Sequence, residues 1–493
     1  MTTTNNESRM LIDGKLVDAA SGATFPNVNP ATEEIVGEVA DAGAVDVENA
    51  ITAARRAFDD TTWSEDPAFR RRCLEQLRDA MDRAREEMRM AIVLETGCPI
   101  SLTYIVQVET PISDIAYWAE QATAYQYEHS MPDREWMGTT FRRRIRHEAV
   151  GVVAAITPWN FPLYLNIAKL GPALAAGNTV VLKPAPDTPW SATMLGKLIV
   201  EETDIPAGVV NIVTPADHQL GEILTSDPRV DMVTFTGSTA TGRRIMASGS
   251  ATLKKIFLEL GGKSAYIALD DSDFTSSVPV AVGSVSTHAG QGCVLTTRLL
   301  LPRSRYEEGV EIAKAVTENV PYGDPLDPAN ICGPVVNAKQ RERVLGYIEK
   351  GKAEGARLVA GGGRPPQFEK GFFVEPTLFA DVDPDATIAQ EEIFGPVVSI
   401  IPYDDDDDAV RIANNSRYGL SGMIDSASEE RAMAVARRVR TGTLCVNGGS
   451  WFQPDVPFGG YKQSGVGREN GKEGFEEYLE VKAIGLPGVA AGS

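Results

Sequence analysis

Four short apolar runs set the architecture: GVVAAITP at 151–158, NTVVLKP at 178–184, GVVNIVT at 208–214 and MVTFTG at 232–237. Helical spans near 163–176, 189–203 and 216–226 separate them. Apolar runs of about five residues joined by helix-length stretches build right-handed βαβ units. Such units form a parallel sheet covered on both faces. Ligands of such sheets sit beyond the carboxyl ends of the strands. Trp159-Asn160, Lys183 and Thr236-Gly237-Ser238 fall at those ends.

The rest of the chain extends the pattern. Residues 1–50 read as short strands and turns, with Leu11, Ile12 and Asp13-Gly14 in a hairpin. Recurrence of Ile51, Ala54, Phe58, Leu74, Leu77 and Met81 predicts helix over 47–90, and 105–125 reads as another. After 259–270 a second α/β region begins. Its helix carries Cys293 to a loop, TTRLLLP forms a strand, and GARLVAGG, VEPTLFADV and GPVVSIIPYD follow as further strands. The run Asp404–Asp408 reads as a helix N-terminus, where negative charge is favoured. Residues 138–148 carry Arg142, Arg143, Arg144 and Arg146. They read as a solvated edge strand or a contact to another subunit, with 474–487 a matching strand.

The 493 residues carry a formal charge of −21, which disfavours nucleic acid and anionic membranes as partners. No segment approaches the ~20 apolar residues of a membrane span. The N-terminus does not resemble a signal peptide, and five unpaired cysteines suit a reducing compartment; a cytoplasmic location is the expectation.

Chemistry concentrates at a few positions. Cys293 follows Gly290, Gln291 and Gly292, whose flexible backbone offers N–H donors to a thiolate and to an oxyanion. By itself the run reads either as a reactive thiol or as a buried inert one; Cys73, Cys98, Cys332 and Cys445 read as inert. Of four histidines, His288 is nearest to Cys293 and leaves a Cys/His hydrolase open. Glu259, between Leu258 and Leu260, is either a desolvated base with a raised pKa or a surface carboxylate. FTGSTATGRR opens a helix after a strand, so Gly237 and Ser238 are candidates to present N–H groups to an anion, and Gly242 permits close packing. Lys183, at a strand end, is a candidate for ribose or phosphate oxygens. Asn160 stands in a loop stiffened by Pro158 and Pro162. Glu392 precedes Phe394, and reads as a ligand contact or as a helix cap.

TPWNFP, VLKP, FTGS, LELGGK, GQGC with Arg298 five residues on, EEIFGP and PFGGYKQSGVGRE, in that order, resemble the aldehyde dehydrogenase superfamily over residues 10–485. The resemblance implies an α/β fold of two doubly wound Rossmann-like domains with a small β bridging, oligomerisation element. The implied cofactor domain is 1–126 with 150–261, the catalytic domain 262–465, and the bridge 127–149 with 466–493. Homodimers or homotetramers are implied, in line with a strand that lacks a neighbour in its own globule.

The implied chemistry starts with Cys293 attacking the aldehyde. Asn160 and the Cys293 N–H hold the oxyanion, hydride passes to the nicotinamide, and Glu259 activates water against the thioester. Ile156, Thr157, Pro158, Trp159, Lys183, Phe235, Gly237, Ser238, Gly242, Leu260, Gly261, Glu392 and Phe394 are the implied cofactor residues, and no metal is called for. Glu259 favours release of a free acid over transfer to coenzyme A. Pro186 stands where many NAD-preferring relatives carry glutamate. NAD is therefore expected with NADP as alternative, and Asp187 is expected to point elsewhere from a strand-like segment. The tunnel to the thiol is implied to be lined by Phe161, Tyr164, Leu165, Ala168, Gly292, Val294, Phe452 and Phe458. That apolar lining suits a hydrophobic aliphatic or aromatic aldehyde. A thiol esterase needing no redox cofactor, and a non-catalytic relative, are the alternative classes.

Overall fold

In the computed structural model, which describes residues 6–488, the four apolar runs are the strands Val152–Ile156, Thr179–Lys183, Val210–Ile212 and Met232–Thr236, parallel to one another. The first five and last five residues of the expected terminal segments lie outside the described residues. Strand 152–156 is the pivot: the chain steps outward through 179–183 to 210–212, then returns to its other flank with 232–236 and Lys255–Glu259. That reversal is the switch point where α/β sheets bind ligands. The hairpin Met10–Ile12/Lys15–Val17 and the short strand Gly465–Val466 close the edges of this eight-stranded sheet in antiparallel sense.

Alternate side chains feed two cores. Val153, Ala155, Val180 and Leu182 pack with Leu163, Ile167 and Leu174 of helix Pro162–Ala176. Val152, Ala154, Val181 and Val233 pack with Ala50, Ile51 and Ala54 of helix Ala44–Asp60. Both faces are thus covered, which explains why the strands carry no polar alternation. The helical stretch 47–90 resolves into Ala44–Asp60, Pro67–Arg83 and Arg85–Thr96. Asp66 caps the second by accepting from the Phe69 N–H, and Gly97 ends the third with φ 68°. The stretch 105–125 becomes a π-helical turn, Thr103–Gln107, followed by helix Glu109–Ala124.

A second, seven-stranded sheet runs through Ala265–Ala268, Arg298–Pro302, Val397–Tyr403 and Thr377–Ala380, with only the edge strand Arg357–Ala360 antiparallel. Asp405 caps helix Asp406–Asn414 by accepting from the Asp408 N–H at 2.9 Å, so the acidic run is the helix start it was read as.

The third sheet corrects two expectations. Thr139–Ala149 is its central strand, not an edge: Leu479–Pro487 and Glu128–Trp136 pair with it on either side, antiparallel. The basic strand therefore has both neighbours within its own chain. The tail turns extended only at 479, because Gly471–Glu476 is a helix. No helix among the described residues is long and apolar enough to cross a membrane.

Candidate active site

Cys293 reaches its place through a sharp reversal. Helix Phe274–Ser286 ends, and His288, Ala289 and Gly290 follow with φ of 53°, 52° and 71°. A Cβ on Gly290 would lie 2.1 Å from the Gly395 carbonyl oxygen, so only glycine fits. The thiol opens into a cleft of about 300 Å³ shared with Asn160, Glu259, Glu392 and Phe394. Its electrostatics differ from expectation. Burial, then the carboxylates of Glu392, Glu259 and Glu469, push the Cys293 thiol up, so it is held neutral rather than as a stabilised thiolate. Cys73, Cys98 and Cys332 are fully buried, each pushed up to about 12 mainly by burial, and are not part of this cleft.

Glu259 ends strand Lys255–Glu259 and is 2% exposed, with neither carboxylate oxygen partnered. Burial first, and then the charge of Glu469, raise its pKa; Lys169 and Arg468 pull against them. The surface-glutamate reading is excluded. Lys169 and Glu469 were not anticipated. Lys169 Nζ lies 3.3 Å from Glu469 Oε1 and donates to Thr234 Oγ1 at 3.1 Å, fully buried. A lone lysine inside the apolar helix PLYLNIAKLGPALAA was the available signal for the first, and the end of the run PFGGYKQSGVGRE for the second. Lys169→Met, which leaves the buried Glu469 uncompensated, is expected to cost about 3–5 kcal/mol of stability. Adding Glu469→Gln should restore most of it in thermal melts, and an unchanged melting temperature in the single variant would refute the pairing.

Asn160 is buried, its Nδ2 donating to the Gln291 carbonyl at 2.9 Å. His288 does not serve the thiol. Its Nε2 sits 2.8 Å from the Asn160 carbonyl oxygen, and burial pushes its pKa down to about 4. The Cys/His hydrolase reading has no geometry behind it. Glu392 is not a helix cap: it follows helix Thr387–Gln390, accepts from the Gly262 N–H at 3.0 Å, and is raised to about 7 chiefly by burial. A Cβ on Gly261 would meet Glu392 Oε2 at 2.1 Å, so this glycine admits the carboxylate. Gln340 and Arg343, also missed, hold the EEIFGP loop by donating to the carbonyls of Phe394 (2.8 Å) and Glu392 (2.6 Å). Phe394 meets Trp159 edge to face at 5.3 Å. Arg298 is buried and donates to the carbonyls of Lys263, Ile412 and Ala413.

A second cleft, about 520 Å³, continues past the switch point and contains Ile156, Thr157, Pro158, Trp159, Lys183, Phe235, Gly237 and Ser238. Lys183 is 4% exposed, its only acceptor among the described residues the Pro184 carbonyl at a long 3.4 Å; burial lowers its pKa to about 8. That amine has hydrogen-bonding capacity to spare for ligand oxygens. His218, Arg244 and Lys339, not anticipated, add basic groups, and Glu222 is tied to Arg244.

Two expectations fail around this cleft. The Gly237 N–H donates to the Glu259 carbonyl at 3.0 Å, extending the strand ladder, and is not free for an anion. Ser238 caps helix Thr239–Gly249 with its hydroxyl oxygen at the Thr241 N–H, 3.2 Å away, which leaves its own N–H uninvolved in the cap. Residues 185–188 form a turn rather than a strand; Asp187 leaves the cleft to accept from Asn337 Nδ2 at 2.8 Å, and Pro186 lines neither cleft. Gly242 packs against Leu260, where a Cβ would come within 2.8 Å. The residues present fit a dinucleotide: two connected grooves, a spare buried amine and a carboxylate admitted by Gly261.

None of the eight tunnel residues lines either cleft. Tyr164 and Phe452 pair at 5.5 Å, Phe458 stacks on Trp451 at 5.2 Å, and Phe161 lies edge-on to His288. Leu165 and Ala168 are buried, Val294 is partly exposed, and Gly292 abuts Leu295, where a Cβ would come within 2.9 Å.

A groove that runs past the carboxyl ends of a parallel sheet and ends at a thiol is the arrangement of a nicotinamide-dependent oxidoreductase with a covalent intermediate. The chain belongs to the aldehyde dehydrogenase family, whose model matches residues 16–484. It is 42% identical over 475 residues to the 3-succinoylsemialdehyde-pyridine dehydrogenase of a Pseudomonas species, covering 96% of this chain and 97% of the relative. It is also similar to aldehyde dehydrogenase C of Pseudomonas syringae, solved as a cysteine-to-alanine mutant with NAD+ and octanal. There the identity is 40%, the TM-score 0.91, and coverage 97% of this chain and 96% of the other. Betaine aldehyde dehydrogenase of Staphylococcus aureus in complex with NAD+ superposes with a TM-score of 0.95 at 33% identity, over 99% and 97% of the two chains. The protein is an NAD(P)-dependent enzyme that oxidises an aldehyde to the carboxylic acid through a catalytic cysteine.

Proposed function

We propose that Cys293 is the nucleophile, Glu259 the base and Asn160 the oxyanion donor of this reaction, and that the substrate is a hydrophobic aliphatic or aromatic aldehyde. The observation that carries the reading is the single cleft in which these three residues meet beside Glu392 and Phe394. The Cys293 thiol gives up its proton to water as the sulfur bonds to the aldehyde carbon, and the carbonyl oxygen takes the negative charge. Asn160 Nδ2 has a second N–H beyond the one given to Gln291, and with the Cys293 N–H it stabilises that oxygen; each such donor is worth about 3–4 kcal/mol. When bound, the nicotinamide supplies the hydride acceptor and a positive charge that offsets the carboxylates around the thiol. Glu259, unpartnered and raised by burial, then takes a proton from water as it attacks the thioester, and the thiol is released with the free acid.

For the dinucleotide, Lys183 is assigned to the adenosine ribose, Ser238 to the pyrophosphate through its backbone, Glu392 to the nicotinamide ribose and Phe394 to the ring. The substrate path is assigned to Phe161, Tyr164, Leu165, Ala168, Gly292, Val294, Phe452 and Phe458. Octanal bound to the Pseudomonas syringae relative supports an apolar substrate. The cofactor-binding unit is 1–126 with 150–261, the catalytic unit 262–465, and the bridging element, 127–149 with 466–493, joins copies of a cytoplasmic homotetramer or homodimer. Purified protein with octanal, benzaldehyde and succinic semialdehyde, followed by the absorbance of reduced nicotinamide, tests the reading. Octanal and benzaldehyde should be favoured; turnover of esters with no aldehyde-dependent reduction would overturn it in favour of a plain thiol hydrolase.

Both dinucleotides should serve. The cleft around Lys183 adds Arg244, paired with Glu222, and Lys339, while Pro186 contributes no carboxylate, so NADP should be reduced with kcat/KM within about tenfold of NAD. Absence of NADP reduction by the unsubstituted enzyme would contradict this.

A further inference from the structure

The main-chain carbonyl of Asn160 is where three separate segments converge. Gln107 Nε2, at the end of the π-helical turn Thr103–Gln107, donates to it at 2.9 Å, and His288 Nε2 lies 2.8 Å away. A carbonyl has no proton to give, so the neutral imidazole carries its hydrogen on Nε2 and leaves Nδ1 bare; Nδ1 is buried and without a partner. Burial, which pushes this ring down to about 4, keeps it neutral wherever the enzyme works. Phe161 braces the ring edge-on at 5.3 Å.

The hydrogen bonds close on themselves. Asn160 Nδ2 donates to the Gln291 carbonyl at 2.9 Å, Gln291 Nε2 to the His288 carbonyl at 3.0 Å, and His288 Nε2 to the Asn160 carbonyl at 2.8 Å. Gln291 is fixed from outside by the Val336 N–H, which donates to its Oε1 at 2.8 Å. The ring thus joins the residue carrying the side-chain oxyanion donor to the residue two places before Cys293, whose N–H is the other donor. His288 closes it from a left-handed backbone position, uncommon outside glycine.

We infer that His288 is a positioning residue: its imidazole, through the Asn160–Gln291–His288 ring, keeps the Asn160 amide and the Cys293 N–H in register for the developing oxyanion. The inference rests on the oxyanion role proposed for Asn160. Gln107 supports the same carbonyl from the opposite element and shares the task in smaller measure.

His288→Asn separates this from a general packing role. Asparagine tolerates the left-handed backbone, and its amide reaches only to where Nδ1 stands, so the bond to Asn160 is lost. Glutamine at the same position extends to where Nε2 stands and restores a donor. His288→Asn should lower kcat for aldehyde oxidation about 10- to 100-fold, in keeping with what an ångström of misplacement costs, while KM for NAD stays within about twofold. Alkylation of Cys293 by iodoacetamide, a displacement that forms no oxyanion, should also stay within about twofold. His288→Gln should recover most of the loss.

Wild-type kcat in His288→Asn, alkylation slowing in parallel with kcat, or a glutamine variant no better than asparagine would each overturn the inference. If His288→Asn does not fold, Gln107→Leu decides: a reduced kcat with unchanged alkylation supports the ring, and an unchanged kcat refutes it. Asn160→Ala distinguishes the two levels. If it retains activity, the oxyanion role itself fails; if it is inactive while His288→Asn is fully active, only the positioning role fails.

Discussion

Cys293→Ala is expected to lose aldehyde oxidation by at least about four orders of magnitude, the scale on which removal of a covalent nucleophile is felt. No other thiol can substitute. Cys73, Cys98 and Cys332 are fully buried, and Cys445 lines neither cleft. Alanine removes only the sulfur from a half-open position, so neither fold nor dinucleotide binding should suffer. The measurement is paired: aldehyde-dependent appearance of reduced nicotinamide, and binding of NAD by calorimetry. Binding retained with oxidation lost is the expected outcome; more than about one part in a hundred of the activity surviving would remove Cys293 from the reaction.

Glu259→Gln is expected to split the reaction in two. The amide is nearly isosteric with the carboxyl it replaces and cannot take a proton. The acyl-enzyme should then form and persist: one equivalent of reduced nicotinamide in a burst, followed by turnover slowed about 100- to 10,000-fold. The pH dependence follows from the direction of the shift. A carboxyl whose pKa is raised by burial and by Glu469 is protonated, and idle as a base, until the pH climbs past that raised value. Turnover of the unsubstituted enzyme should therefore rise with pH, and Glu259→Gln should abolish the part of that rise belonging to deacylation. A steady rate equal to wild type would mean another group activates the water. A missing burst would transfer Glu259 to deprotonating the thiol, which burial and three carboxylates also hold neutral.

Much of this molecule was legible in its residues one segment at a time. The strands 152–156, 179–183, 210–212 and 232–236 lie where the apolar runs stand, because a strand buried on both faces needs only a local run of apolar side chains. The cap at Asp405 is equally local, set by a short side chain on a nearby N–H, whereas the reversal before Cys293 takes His288 and Ala289 as well as Gly290 to positive φ. What the tertiary structure alone decided is everything that depends on who stands beside whom. Gly237 loses its N–H to Glu259 because two particular strands pair. The basic strand 139–149 is central rather than marginal because 128–136 and 479–487 come to its two sides. Burial and the carboxylates of Glu392, Glu259 and Glu469 hold the Cys293 thiol neutral, burial and Glu469 raise Glu259 against Lys169 and Arg468, and His288 and Gln107 set the geometry around Asn160. Backbone conformation answers to nearest neighbours in sequence, whereas Coulomb energy, desolvation and hydrogen-bond closure answer to nearest neighbours in space, and only folding makes those known.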